Sequence, residues 1–371
     1  MSSPDAPARL QYTPALDGVR AVAIIGVLAL HGSLGVQGGF LGVDVFFVLS
    51  GFLITALLLA EHRRTGAVSL RAFYGRRARR LLPALVVVCV GVGILYGVFA
   101  GLNPGIGYGA SVAAVLSFGG NWVQAYHEHA AGGRLGLLDP AWSLGIEEQF
   151  YLLWPLLLVF LLRRRVSTRL SVALLAAGAV ASAALRALTW WHVIPGSAYF
   201  ATHDRADGLL LGCMLAVLWQ SGGSVEWLRR LFGRWIVPVL VTCVFGVAAW
   251  RFGVVSDSTY AFGILAVNIA AFALIAHLVT GERSVAHRVL GSTALVWLGA
   301  RSYGIYLYHW PVFSVLTPDR LNTNATDAEL FPLRLAVVLV IAALSYRFVE
   351  RPILRRRGLT LQRLGSPAPA A

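Results

Sequence analysis

The chain contains no lysine. All 31 of its basic residues are arginine, set against 17 acidic residues for a formal net charge of +14. Charge is scarce as well as one-sided: 13% of the 371 residues carry it, against about 25% in an ordinary soluble domain. Thiols are few too. Cys89, Cys213 and Cys243 sit inside apolar runs without metal-ligand spacing, so they read as small buried hydrophobes rather than as a disulfide frame or a zinc site. A cleavable secretory leader is not expected, because the first apolar run lacks a small-residue cleavage site and leads straight into others. What abounds is apolar: 57% hydrophobic residues, 11 tryptophans and a mean hydropathy of +0.71. A lipid bilayer is the solvent that this composition fits.

Crossing the hydrocarbon core takes about 20 helical residues. Ten runs qualify, at about 19–36, 40–60, 81–100, 146–162, 171–190, 205–220, 235–251, 260–279, 295–316 and 331–349. An eleventh, 107–120, is weaker and rich in glycine and serine. The arginines choose between ten and eleven. With ten spans and the N-terminus inside, the outer connections 101–145, 191–204, 252–259 and 317–330 hold only Arg134 and Arg320. A full crossing by 107–120 would move Arg163, Arg164 and Arg165 outside and break the positive-inside pattern. That segment is therefore expected to be re-entrant or interfacial. The expectation is an all-α polytopic protein of the cell membrane, with about ten transmembrane helices and both termini in the cytoplasm. The membrane domain covers 12–355, with tails at 1–11 and 356–371. The same placement turns the positive charge toward membrane lipids and leaves no role for nucleic acid.

An ionisable side chain inside a span marks a functional site by default. Arg20 and His31, in "LDGVRAVAIIGVLALHGSLG", are eleven residues apart. They fall within about 20° of one helix face and about 16 Å apart along it, Arg20 at the inner mouth and His31 in the outer half. The plain alternatives are snorkelling to lipid phosphate for Arg20 and a bond to a neighbouring helix for His31. Asp17 either pairs with Arg20 or caps the helix. In "GGFLGVDVFFVLSGFLI", Asp44 lies at a depth near His31 and either orients its imidazole or caps its own helix. The "SGFL" within it also reads as a small-residue packing notch. The inner loop "SLRAFYGRRARRLLPA" holds Arg76, Arg77, Arg79 and Arg80 in i,i+3 pairs. These forks suit the phosphates of a donor, or anchor the loop to anionic lipid. In "LDPAWSLGIEEQFYLLWP", Glu147 and Glu148 are expected at a helix start, where capping accounts for one of them; Tyr151 follows. "HDRADG" adds Arg205 and Asp207, and "RSYGIYLYHWP" adds Tyr303 and His309. His127 and His129 have no third ligand in view, and no metal is expected.

Six stretches in order resemble the acyltransferase-3 family of integral membrane O-acyltransferases, over about residues 12–355: "LDGVRAVAIIGVLALH", "GGFLGVDVFFVLSGFLI", "FYGRRARRLLP", "WSLGIEEQFYLLWP", "RADGLLLG" and "SYGIYLYHWP". The resemblance implies acylation of a hydroxyl on a sugar or glycan, or on a macrolide or other secondary metabolite. It implies acyl-CoA, acetyl-CoA above all, as donor substrate, with no permanently bound cofactor. The family's Arg-x10-His pair falls on Arg20 and His31, its basic motif on Arg76, Arg77, Arg79 and Arg80, and its acidic residue on Glu147 or Glu148, the latter matching better. By that resemblance His31 is general base on the acceptor, or takes the acyl group first, and Asp44 or Glu148 orients the imidazole or binds the acceptor. Many relatives carry a C-terminal SGNH-type domain, and a stand-alone type is expected here. A secondary transporter is the reading of another class: it shares the spans and the buried charges. Against it, no inverted repeat relates the halves, and transport leaves the basic spacing unexplained.

Overall fold

The computed structural model describes residues 12–127, 134–192, 195–281 and 283–355. Helix α1 (Pro14–His31) starts on a proline, which costs no hydrogen bond in a first turn, and ends where the Gly32 N–H returns to Leu28 and Leu30. Helix α2 (Gly42–Thr65) is closed by Gly66 at φ +75°, a left-handed conformation that glycine adopts without strain. The Ser69 side chain caps α3 (Leu70–Val98), which runs on through Pro83. There follow α4 (Tyr108–Leu116), α5 (Gly120–His127), α6 (Trp142–Arg163), α7 (Thr168–His192), α8 (Pro195–Phe200), α9 (Ala206–Gln220), α10 (Gly222–Phe232), α11 (Ile236–Arg251), α12 (Ile264–Thr280), α13 (Val285–Leu290), α14 (Thr293–Ala300), α15 (Ser302–Val315) and α16 (Asp327–Ser345). No strand occurs among the described residues, and the chain is an all-α polytopic membrane protein.

Each of the ten expected runs coincides with helix, but not all are long enough to cross. Among the described residues, seven helical segments have the length and apolar character of a span, or eight if α9 and α10, bent against each other, count as one. Three expected spans fall short on their own: α9 has 15 residues, α11 has 16, and the run 295–316 is broken at Arg301 between α14 and α15. The weak segment 107–120 contains the nine-residue α4, about 14 Å of helix and well under a bilayer crossing. The largest correction concerns α3, expected to begin near residue 81. It begins at Leu70, so the helix that the i,i+3 spacing of Arg76, Arg77, Arg79 and Arg80 suggests is continuous with the span rather than a separate element of the inner loop. Ser69 supplies the start signal, and the arginines are good helix formers that a hydropathy reading discounts.

Helix α2 lies against α9, and α9 against α7. A Cβ on Gly51 would overlap the Leu209 carbonyl, and one on Gly212 would overlap that of Val48. The "SGFL" notch is thus a close backbone crossing, which small residues permit in lipid-embedded helices. Gly299 makes the same approach to the Asp17 carbonyl, bringing α14 onto α1. Cys89 and Cys213 are buried as expected, whereas Cys243 is exposed on α11. The lipid-facing sides of α3 and α6 show ordinary apolar residues such as Ile94, Leu153 and Phe160.

Candidate active site

Three helices build a charged cluster inside the bundle. The Arg77 guanidinium of α3 donates to Glu148 Oε1 of α6 at 3.1 Å and lies 3.6 Å from the centre of the Tyr151 ring. One residue before Glu148, Glu147 accepts from the Ser50 hydroxyl of α2 at 2.8 Å. From α1, Arg20 donates to Asp17 at 2.8 Å and adds its field to that of Arg80 at Glu147. The Arg77–Glu148 side chains keep 13% and 11% of their surface exposed, so the cluster is recessed but open. Among the described residues the Arg80 guanidinium, set beside Arg20 and Arg77, has no hydrogen-bond or ion-pair partner.

Farther along α1, His31 meets α15. Its Nδ1 lies 3.0 Å from Nε2 of His309, which is fully buried, and the edge of Trp310 covers the His31 ring at a centroid distance of 5.0 Å. His309 Nδ1 is 2.6 Å from the Tyr306 carbonyl. The Tyr306 hydroxyl donates in turn to the Pro140 carbonyl at 2.8 Å and lies 2.8 Å from the Ser143 hydroxyl of α6. Arg20 and His31 thus both turn toward the bundle, each to a different polar group.

A third polar region is sealed. Asp44 of α2 pairs with Arg205 at 2.9 Å, and Arg186 of α7 with Asp207 of α9 at 2.9 Å, all four side chains having no exposed surface. Asn268 of α12 donates to Asp207 at 3.0 Å. Arg205 leaves Nε and Nη1 without hydrogen bonds, but its guanidinium sits 4.9 Å from the Tyr199 ring centre and 5.8 Å from that of Trp142. Aromatic faces take up part of the charge that the missing acceptors would otherwise meet.

The sequence pattern that defines the acyltransferase domain family matches residues 13–347. The chain belongs to that family. It is 34% identical over 374 residues to the peptidoglycan O-acetyltransferase OatA of Listeria monocytogenes, an alignment covering 94% of this chain and 56% of that one. It is 32% identical over 359 residues to a putative O-acetyltransferase of Staphylococcus aureus, covering 95% and 58%. With the putative peptidoglycan O-acetyltransferase YrhL of Bacillus subtilis it shares 32% over 360 residues, covering 92% and 55%. The chain therefore spans about half the length of these curated relatives. No solved structure matches it.

In this acyltransferase domain the candidates separate into groups that the sequence had joined. Arg20, Arg77, Arg80, Glu147, Glu148 and Tyr151 come together. Arg76 leaves the basic group: it is exposed and pairs with Glu61 at 3.2 Å. Asp44 does not meet His31; its partner is Arg205, and His309 occupies the place beside the imidazole that a carboxylate was expected to take. Glu147 and Glu148 are not at a helix start, since α6 begins at Trp142 and its first turn holds no acid. The capping reading fails for both. Arg205 and Asp207 belong to the sealed region, and the Tyr303 hydroxyl donates to the Leu81 carbonyl at 2.9 Å, tying α15 to α3. His129 lies outside the described residues. Arg186 was missed, although an arginine within the apolar run 171–190 is the signal that singled out Arg20. Tyr306 and Ser143 were missed because neither is ionisable near neutrality.

Proposed function

We propose that this domain transfers an acyl group, acetyl in the first instance, from acyl-CoA to a hydroxyl of a cell-envelope glycan, with His31 as the general base. Peptidoglycan is the acceptor suggested by the names of the Listeria and Bacillus relatives. The reading rests on one observation: a single helix, α1, carries Arg20 in the cluster around the uncommitted Arg80 and His31 in a separate, largely buried polar niche. Arg80, with Arg20 and Arg77 behind it, is suited to the donor's phosphates, because guanidinium forks match phosphate oxygens. The positive-inside pattern supports a cytoplasmic placement of this end of the bundle and of both termini. His31 accepts the acceptor's hydroxyl proton as its oxygen forms a bond to the thioester carbonyl carbon. The carbon–sulfur bond breaks, and the proton passes to the departing thiolate to give CoA thiol and the O-acyl ester. An imidazole suits this cycle because it takes and returns a proton near neutrality.

The test uses the full chain in proteoliposomes with acetyl-labelled acetyl-CoA and added glycan oligomers. Label should pass to the glycan in an alkali-labile ester, with one free CoA thiol released per ester, and His31→Ala should lower the rate by about 10²–10⁴-fold. Undiminished transfer in His31→Ala removes His31 as base. Glycan acylation that consumes no acetyl-CoA removes that donor.

A further inference from the structure

The contact between His31 and His309 has a direction, and it selects one nitrogen of His31. The centroid separation is 5.0 Å, with 20° between ring planes and 3.0 Å between the facing nitrogens. Two ring radii and one hydrogen bond slightly exceed that separation, so the rings meet edge to edge with a small offset. On its other side, His309 Nδ1 lies 2.6 Å from the Tyr306 carbonyl oxygen. A carbonyl only accepts, so that nitrogen carries the proton. A neutral imidazole has one N–H, which leaves His309 Nε2 a lone pair, and His31 Nδ1 must donate to it. The opposite assignment sets the Nδ1 lone pair of His309 against the carbonyl at the same short distance. No carboxylate is in hydrogen-bond contact with either ring among the described residues.

We infer that His309 is a positioning residue that fixes His31 in the Nδ1–H tautomer, so that Nε2 is the nitrogen that receives the acceptor's proton. The inference rests on the reading of His31 as base. His309 holds the place that a carboxylate holds in a serine-hydrolase triad, where the wrong imidazole tautomer costs about 10⁴-fold in kcat. Three features of α15 assemble it: a carbonyl one turn back to orient the ring, complete burial that keeps water from competing for Nε2, and close packing on α1. A histidine that only glued the two helices would work as well in either tautomer.

The experiment measures acetyl transfer by the full chain in proteoliposomes for His309→Phe and His309→Gln. Phenylalanine keeps the ring volume without an acceptor; glutamine carries an amide oxygen to the position of Nε2. His309→Phe should lose about 10²–10⁴-fold in kcat with KM for acetyl-CoA unchanged, and His309→Gln should recover at least tenfold of that loss. Wild-type kcat in His309→Phe overturns the inference. So does a His309→Gln enzyme as slow as His309→Phe when both melt like the wild type. A third measurement needs no variant to be active: ¹⁵N spectra of histidine-labelled protein, with His31 assigned by its loss in His31→Gln. They should show a protonated Nδ1 and a bare Nε2, and the reverse pattern overturns the inference whatever the variants do. His31→Ala retaining full activity would instead sink the base, leaving the tautomer to be judged from the spectra.

Discussion

Two groups of buried ions in this bundle have similar chemistry and opposite settings. Asp44, Arg205, Arg186 and Asp207 pair across α2, α7 and α9 with no exposed surface. Arg77 and Glu148 pair across α3 and α6 with slightly more than a tenth of each side chain exposed, beside an Arg80 that finds no partner among the described residues. The first group lies about one to two turns along α2 and α9 from Gly51 and Gly212, which bring these helices into backbone contact, and none of its four side chains keeps exposed surface. The second, contributed by α1, α3 and α6, keeps part of its Arg77 and Glu148 surface exposed. An ion pair inside a membrane protein is therefore informative about function only with its access: sealed, it specifies how helices assemble; open and unbalanced, it can bind.

The comparison breaks most sharply at Arg205. Arg205→Leu leaves Asp44 in a fully buried site without its cation, and removing one partner of such a pair costs about 3–5 kcal/mol. The expected outcome is a large fall in the thermal midpoint and in the yield of folded protein from detergent extracts. Replacing both Asp44 and Arg205 by leucine should restore much of that loss, because no lone charge remains. A stable, folded Arg205→Leu protein that has lost transfer activity would move the sealed group into the active site.

Arg77→Leu should do the reverse. It removes a hydrogen bond to a charged partner, worth about 1.5–3 kcal/mol, together with a cation over the Tyr151 ring. Because this group is open, the effect is expected chiefly in kcat/KM, a fall of roughly tenfold to a hundredfold, with a smaller change in thermal midpoint. A protein that unfolds but, where folded, turns over normally would make Arg77 another assembly residue and erase the distinction between the two regions.

The sequence carries most of the helices and few of these distinctions, for a physical reason. Hydropathy and arginine placement are local sums, so ten apolar runs, the short α4 and the polar residues within spans can all be read along the chain. Pairing is not local. His31 finds His309 at a separation of 278 residues, and Arg205 finds Asp44 at 161. Depth alone made Asp44 the natural neighbour of His31, and only the crossing of α2 with α9 turns it to Arg205. The start of α3 was misread because polar residues at a membrane segment's end look like loop until a cap such as Ser69 is weighed; α6 starts at Trp142, with no side-chain cap to mark it. Arg20, Arg77, Arg80, Glu147, Glu148 and Tyr151, from three of the six stretches, came together in the site, while Arg205 and Asp207, from a fourth, did not.

The finest test lies one residue away from Arg77. Arg76 shares the basic stretch, the helix and the charge, yet 46% of its side chain is exposed and its partner Glu61 lies at the end of α2. Successive helical residues point about 100° apart, which is enough to carry Arg76 out of the cluster that Arg77 anchors. A surface pair of this kind contributes about 0–1 kcal/mol. Arg76→Ala should therefore change neither the thermal midpoint by more than a few degrees nor kcat/KM for acetyl-CoA by more than about fivefold. Assayed beside Arg77→Leu in the same vesicles, it separates the two meanings of a basic run. If the two variants fall together, the run acts through total charge, as a lipid anchor does. If only Arg77→Leu falls, it acts through the direction in which one guanidinium points.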